Sequence, residues 1–278
     1  MTQSKSAFPH YFERIIQIAT RSPIMKYRWL DRGVAPSGYI KGMALALGRA
    51  HCRLKINDKY IMEMAKGETS NKNKDVLTYY KTTFQSLGMD NSQSGPDTLR
   101  HLFTLLLGLG MRESSGRWCE GRDMAAHNTA SDTAEAGLFQ TSWNAHEGNP
   151  LLLELYNSYA STVRPSSLFA IFNEGVRAKA ADLENFGSGE GVNFQKLTKY
   201  CPEFAIIFAG IGLRNIRDHW GPINRQEAEI RPEANELFLA IQKNIDASDA
   251  CDDLIGESQA ASDATARGCR RAAEAARP

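Results

Sequence analysis

Between Leu99 and Met111 the chain reads LRHLFTLLLGLGM, and from Leu102 to Met111 it carries no charge. Leu99, Leu102, Phe103, Leu106, Leu107 and Gly110 recur near helical spacing, while Leu105 and Leu109 fill the other faces. A helix that is apolar nearly all round lies in the middle of its domain. Gly108 and Gly110 let another backbone approach it closely. The run stops at Arg112-Glu113-Ser114-Ser115-Gly116. Whatever this chain folds into is therefore wrapped around a buried helix that ends on a carboxyl group.

The rest of the sequence is also helical in character, with no series of alternating strands and no internal repeat. Helices are expected over Pro9–Thr20, Tyr39–Leu54, Asn73–Leu87, Asp97–Arg112, Pro150–Thr162, Ser167–Leu183, Pro202–Trp220 and Pro232–Ile245. Several open on proline, which suits the first helical turn because its missing N–H would be unpaired there. Asp97 or Thr98 is the expected cap of the apolar helix. Gly38, Gly42 and Gly48 point to close helix packing. The polar stretch Gly116–Thr133 is expected as a long loop or small β-hairpin set into a mainly α fold. Turn residues cluster at Ser92–Thr98 and place a boundary there, dividing a helical region 1–95 from a second region 96–245. Residues 246–278 are rich in Ala, Ser and Asp without an aromatic side chain, the composition of a flexible tail.

Composition narrows the function classes. The 278 residues hold 33 Lys+Arg against 32 Asp+Glu, so no strong field favours nucleic acid or an anionic membrane. No apolar run approaches the roughly 20 residues that span a bilayer. The first twenty residues lack the pattern of a secretory signal. Synthesis in the cytoplasm is expected, with any delivery to periplasm or cell wall by a signal-independent route. The cysteines, Cys52, Cys119, Cys201, Cys251 and Cys269, are odd in number and widely spaced. They read as mostly reduced thiols, with a Cys119–Cys201 bridge as the alternative. No ligand spacing implies a metal, and no phosphate loop or other cofactor motif is found.

Glu113 carries the chemistry. At the C-terminal end of a central helix it meets the negative end of the helix dipole. Apolar neighbours disfavour its anion again. A carboxyl that keeps its proton near neutral pH is what protonation of a glycosidic oxygen requires. Two further stretches accompany it: AEAGLFQTSWN (Ala134–Asn144) and RDHWGPINR (Arg217–Arg225). With Glu113-Ser114 closing a buried helix and Gly137-Leu138-Phe139-Gln140 following, 27 residues from Glu113 to Gln140, the chain resembles the lysozyme-like superfamily, in particular goose-type lysozymes and lytic transglycosylases. The likeness covers about residues 97–225, with Phe in place of the family's Met. The family's third motif, Ala-Tyr-Asn, has only the superficial counterpart IFNEG (Ile171–Gly175).

The resemblance implies a lysozyme-like helical domain that cleaves β-1,4 bonds in the glycan of peptidoglycan, with Glu113 as the acid. It implies a substrate groove beside Gly137–Gln140. Ser114, Gln140, Thr141, Ser142, Trp143, His219 and Trp220 are the expected substrate contacts, because amides, hydroxyls and flat rings suit sugars. Glycosidases commonly pair their acid with a second carboxylate. Glu120, Asp123, Asp132 and Glu135 compete for that place, with Asp123 and Asp132 preferred; without one, a lytic transglycosylase route remains. The rival readings are a chitinase or chitosanase on the same scaffold, an inactive glycan-binding protein, and an amidase built on Cys119 and His127.

Overall fold

Helices pack on every side of the apolar run. The computed structural model describes residues 10–124, 130–160, 168–248, 250–252 and 254. In α1 (His10–Arg21) the buried residues Phe12, Ile15 and Ala19 form one stripe. A two-stranded antiparallel hairpin follows, β1 (Arg28–Trp29) and β2 (Gly33–Val34), with Arg28 opposite Val34. Next come α2 (Ser37–Lys55), α3 (Lys59–Met64), α4 (Val76–Tyr79) and α5 (Lys81–Ser86). Asp58 starts α3 by accepting from the Tyr60 and Ile61 amides, and Asp75 starts α4 by accepting from Leu77, satisfying donors that a helix start leaves open.

The apolar run is α6 (Pro96–Ser114). Gly95 is its N-cap and Pro96 its first residue; Asp97 and Thr98 lie inside the first turn instead of capping it. The remaining helices are α7 (Pro150–Ala160), α8 (Phe169–Phe172), α9 (Ala180–Leu183), α10 (Glu190–Tyr200), α11 (Pro202–Asn215), α12 (Gly221–Asn224) and α13 (Pro232–Asp246). Pro150, Pro202 and Pro232 open their helices as expected. The fold is mainly α-helical. Among the described residues no helix is long and apolar enough to cross a membrane.

Seven apolar side chains of α6, from Leu99 to Leu109, are completely buried, contacting α2, α11 and α13. Gly108 lies against the backbone of Glu229, where a Cβ would collide with the carbonyl. Gly110 accommodates the Tyr39 ring, whose hydroxyl donates to Leu107 O at 2.8 Å and Leu106 O at 3.2 Å. In α2, Gly38 takes the backbone of 171–174, Gly42 takes Phe172 and Gly48 takes Ile15 and Ile245. One apolar cluster runs from Phe12 to Leu254, so the 95/96 position marks no break in the core.

Several expectations change. The helix expected over Asn73–Leu87 is two short ones, and Ser167–Leu183 holds only α8 and α9 among its described residues. The helix from Pro202 stops at Asn215, before the Arg217–His219 turn. Helices α3 and α10 were not expected. The segment after Gly116 has no hairpin among its described residues, only an isolated bridge between Ala136 and Thr141. The cysteines are not all reduced: Cys52 of α2 is bonded to Cys251, while Cys119 and Cys201 are buried and lie outside any disulfide among the described residues. The expected tail therefore starts too early at 246, because Ala250 and Leu254 are buried in the core. Residues 255–278, like 1–9, lie outside the described residues.

Candidate active site

Helix α6 ends tightly. Ser115 takes a left-handed conformation, φ 55°, and its amide donates to Met111 O at 3.0 Å; the Gly116 amide donates to Gly110 O at 3.0 Å. These bonds close the last turn and satisfy its carbonyls. The Ser114 hydroxyl donates to Gly110 O at 2.9 Å and to Leu138 O at 2.8 Å. That second bond ties the helix end to the Gly137–Gln140 turn.

The turn is pinned from two further directions. The Gly137 amide donates to Glu120 O at 2.8 Å. The Trp220 indole N–H donates to Phe139 O at 3.0 Å. Gly137 itself has φ +75° and lies against Thr198, so only glycine fits without strain. Ala136 and Thr141 then exchange two backbone bonds, at 3.0 and 3.3 Å. The three motif segments are thus held together through backbone atoms.

These bonds decide the roles of the expected sugar contacts. Ser114 is 2 % exposed and its hydroxyl serves the backbone. Gln140 is 7 % exposed, and its amide donates to Gly137 O at 3.1 Å and Glu120 O at 3.5 Å. Trp220 is 1 % exposed, with its ring packed over Gly212. All three are buried and bonded within the fold around the Gly137–Gln140 turn. Trp143 is half-buried and stacks on His146 with ring centroids 4.0 Å apart. Ser142 donates to Asn144 Oδ1 at 2.7 Å and lies 3.4 Å from His219 Nε2. Burial pushes the His219 pKa down, so its imidazole is neutral at pH 7. Thr141 is buried, and its hydroxyl has no hydrogen-bond partner among the described residues.

Glu113 is half-buried, and among the described residues its carboxyl accepts no hydrogen bond and makes no ion pair. Its pKa is pushed up to about 8, first by burial and then by the charge of Glu135. Arg225, Arg32 and Arg112 pull the other way and lose. Glu135 is likewise half-buried and without a hydrogen bond or ion pair among the described residues. Burial, followed by the charge of Asp123, pushes its pKa up to about 7.

The other carboxylates fall elsewhere. Asp123 is exposed and acts on Glu135 through its charge. Asp132 is exposed, 3.4 Å from the Ser131 hydroxyl, on a segment packed against Gly191. Glu120 pairs with Arg117 at 3.2 Å. Sequence reading weighed Glu135 but preferred Asp123 and Asp132; its chain neighbours Ala134 and Ala136 are both buried.

Two cations reach Glu113 that the sequence did not announce. Arg32 comes from the hairpin tip, which Glu229 fixes by accepting from the Leu30 amide at 2.8 Å and the Tyr27 hydroxyl at 2.7 Å. Arg225 follows α12 and shares Glu227 with Arg112, at 2.8 and 3.0 Å. Cys119 is completely buried, and burial raises its pKa. A thiol held protonated is a poor nucleophile, and its expected partner His127 lies outside the described residues. Asn173 of the IFNEG segment accepts from the Trp118 indole at 3.1 Å, an internal strut. Among the described residues no group of three His, Cys, Asp or Glu side chains is placed to hold a metal. No family model matches the chain, and no curated protein or solved structure is significantly similar to it.

Proposed function

We propose that the chain is a glycosidase of lysozyme-like type, cleaving β-1,4 bonds in an amino-sugar polymer, most plainly the glycan of peptidoglycan. One observation carries the reading: a half-buried carboxyl at the end of the central helix, left without a hydrogen bond or ion pair among the described residues. With its pKa near 8, Glu113 holds a proton at neutral pH and is positioned to deliver it to a leaving oxygen. The three arginines around it favour a substrate that carries anionic groups, as peptide-substituted muramic acid does and chitosan does not.

The test is digestion of purified sacculi with mass spectrometry of the products, by the natural protein and by Glu113→Gln. New reducing ends or anhydro sugars from the natural protein, and none from the folded variant, support the reading. Equal cleavage by both removes Glu113 from the chemistry, and no cleavage by either removes the enzyme reading for this polymer.

A further inference from the structure

We propose that Glu135 is the second carboxyl of the site, the base that takes a proton from the attacking water while Glu113 protonates the glycosidic oxygen. The inference rests on the glycosidase reading and adds to it the residue and the stereochemical course.

Placement argues first. Glu135 lies between the buried residues Ala134 and Ala136, two residues before the start of the Gly137–Gln140 turn. That turn is fixed to the end of α6 through Ser114 and Leu138 O, and to the 217–225 segment through Trp220 and Phe139 O. The backbone carrying Glu135 is therefore held relative to the backbone carrying Glu113. Elimination argues second. Asp123 and Asp132 are exposed, and Glu120 is engaged by Arg117. Glu135 and Glu113 are the two half-buried carboxyls of this region that have neither a hydrogen bond nor an ion pair among the described residues. Coupling argues third: the charge of Glu135 is the largest influence on Glu113 after burial.

Burial raises the pKa of both carboxyls, so each keeps a proton more tightly than an ordinary one and, once ionised, is a stronger base than an ordinary carboxylate. In the step, the Glu113 proton passes to the bridging oxygen and the C1–O bond breaks. A water oxygen bonds to C1 from the opposite face, and its proton goes to Glu135. One product ends in a hemiacetal with inverted configuration at C1, the other in the freed hydroxyl, with one proton passed from Glu113 to the leaving oxygen and one from water to Glu135.

Glu135→Gln, Glu135→Asp and Glu113→Gln are compared with the natural protein on peptidoglycan glycan, with product anomers followed by NMR. A carbon-13 titration of the Glu113 carboxyl is recorded in natural protein and in Glu135→Gln. Expected are initial α-anomers from the natural enzyme and a loss of about 100-fold or more in kcat for Glu135→Gln. Partial activity in Glu135→Asp, and a Glu113 titration moved to lower pH once the charge at 135 is gone, complete the expected set. Activity of Glu135→Gln within about threefold of natural, beside an inactive Glu113→Gln, overturns the inference and leaves the glycosidase reading standing. So do β-anomers or anhydro products. Absence of turnover in the natural protein overturns the glycosidase reading itself. The Glu113 titration still judges the pairing, since an unmoved curve in Glu135→Gln shows that the two carboxyls do not meet.

Discussion

The two ends of α6 bury polar side chains in opposite ways. At the N-terminal end Arg100 and His101 are 7 % and 3 % exposed, and every polar atom has an answer. Arg100 donates to Asn235 Oδ1 at 2.8 Å and Gln242 Oε1 at 2.8 Å, pairs with Asp97, and reaches His101 Nε2 at 3.1 Å. Arginine only donates, so His101 accepts at Nε2 and donates from Nδ1 to Asn91 Oδ1 at 2.8 Å. Within the same nineteen-residue helix, Glu113 has neither hydrogen bond nor ion pair among the described residues. Burial keeps both titratable groups neutral, His101 by pushing its pKa down to about 4 and Glu113 by pushing its pKa up to about 8. Only the second is left with open valence for hydrogen bonds. A closed network is scaffold, and an open carboxyl is available for chemistry.

The sharpest way to break this contrast is to exchange the phenotypes. Glu113→Gln is expected to lower turnover of the glycan by about 100- to 10,000-fold, with a melting temperature equal to or above that of the natural protein. Arg100→Met is expected to do the reverse. It leaves His101, Asn235 and Gln242 without a donor and costs about 3–5 kcal/mol of stability, measured by urea unfolding, while the folded fraction turns over normally. If Arg100→Met impairs turnover as strongly as Glu113→Gln, the two ends are not separable.

A smaller effect is expected between them. Gly108→Ala drives a methyl into the backbone of Glu229 and should cost about 1–3 kcal/mol. Glu229 anchors the hairpin that presents Arg32, so the Glu113 titration should also move upward as that cation withdraws. An unchanged titration in a destabilised Gly108→Ala protein would sever the hairpin from the site.

The smallest effect is in the pH dependence of stability, where the ends have opposite slopes. His101 binds fewer protons folded than unfolded between its folded value near 4 and its ordinary 6.5. Its stabilisation is present above 6.5 and fades as pH falls through 4. Glu113 binds more protons folded than unfolded between its ordinary 4.5 and about 8. Its stabilisation is present below 4.5 and fades as pH rises through 8. Each slope is at most about 1.4 kcal/mol per pH unit, and less for the partly exposed Glu113. Natural protein should lose stability from pH 6.5 to 8, and Glu113→Gln should lose less of it in the same urea titrations. Turnover should follow a bell with limbs near 7 and 8, since the base must be charged and the acid protonated.

What the sequence disclosed and what it hid differ by the range of the interaction. The buried α6 and the prolines opening α7, α11 and α13 are set by neighbours a few residues apart, and all were legible. So was Glu113, because a carboxyl ending an apolar helix is a local conflict. Helix α10 was not, because its buried face includes Gln195, Thr198 and Lys199 as well as Phe194. Lys199 is 1 % exposed, its pKa is pushed down to about 8 by burial, and its ammonium donates to Glu184 O; no periodicity of apolar residues marks such a face. The hairpin escaped because its strands have two residues each, too few for alternation to register. Glu135, Arg32 and Arg225 enter the site only through the folded arrangement. The internal bonds of Trp220 and Gln140 were not legible either, since residue type does not say which way a polar atom is satisfied.

The bond between Cys52 and Cys251 joins positions 199 residues apart. It makes a covalent ring of most of the molecule, with Glu113, Glu135, Arg112 and Arg225 inside and the Arg32 hairpin outside. A pull applied at either terminus reaches that knot before it reaches the carboxyls, and an apparatus that feeds polypeptide single file through a narrow opening would stall there. Passage by threading thus demands the reduced chain, and closure of the ring can only follow arrival.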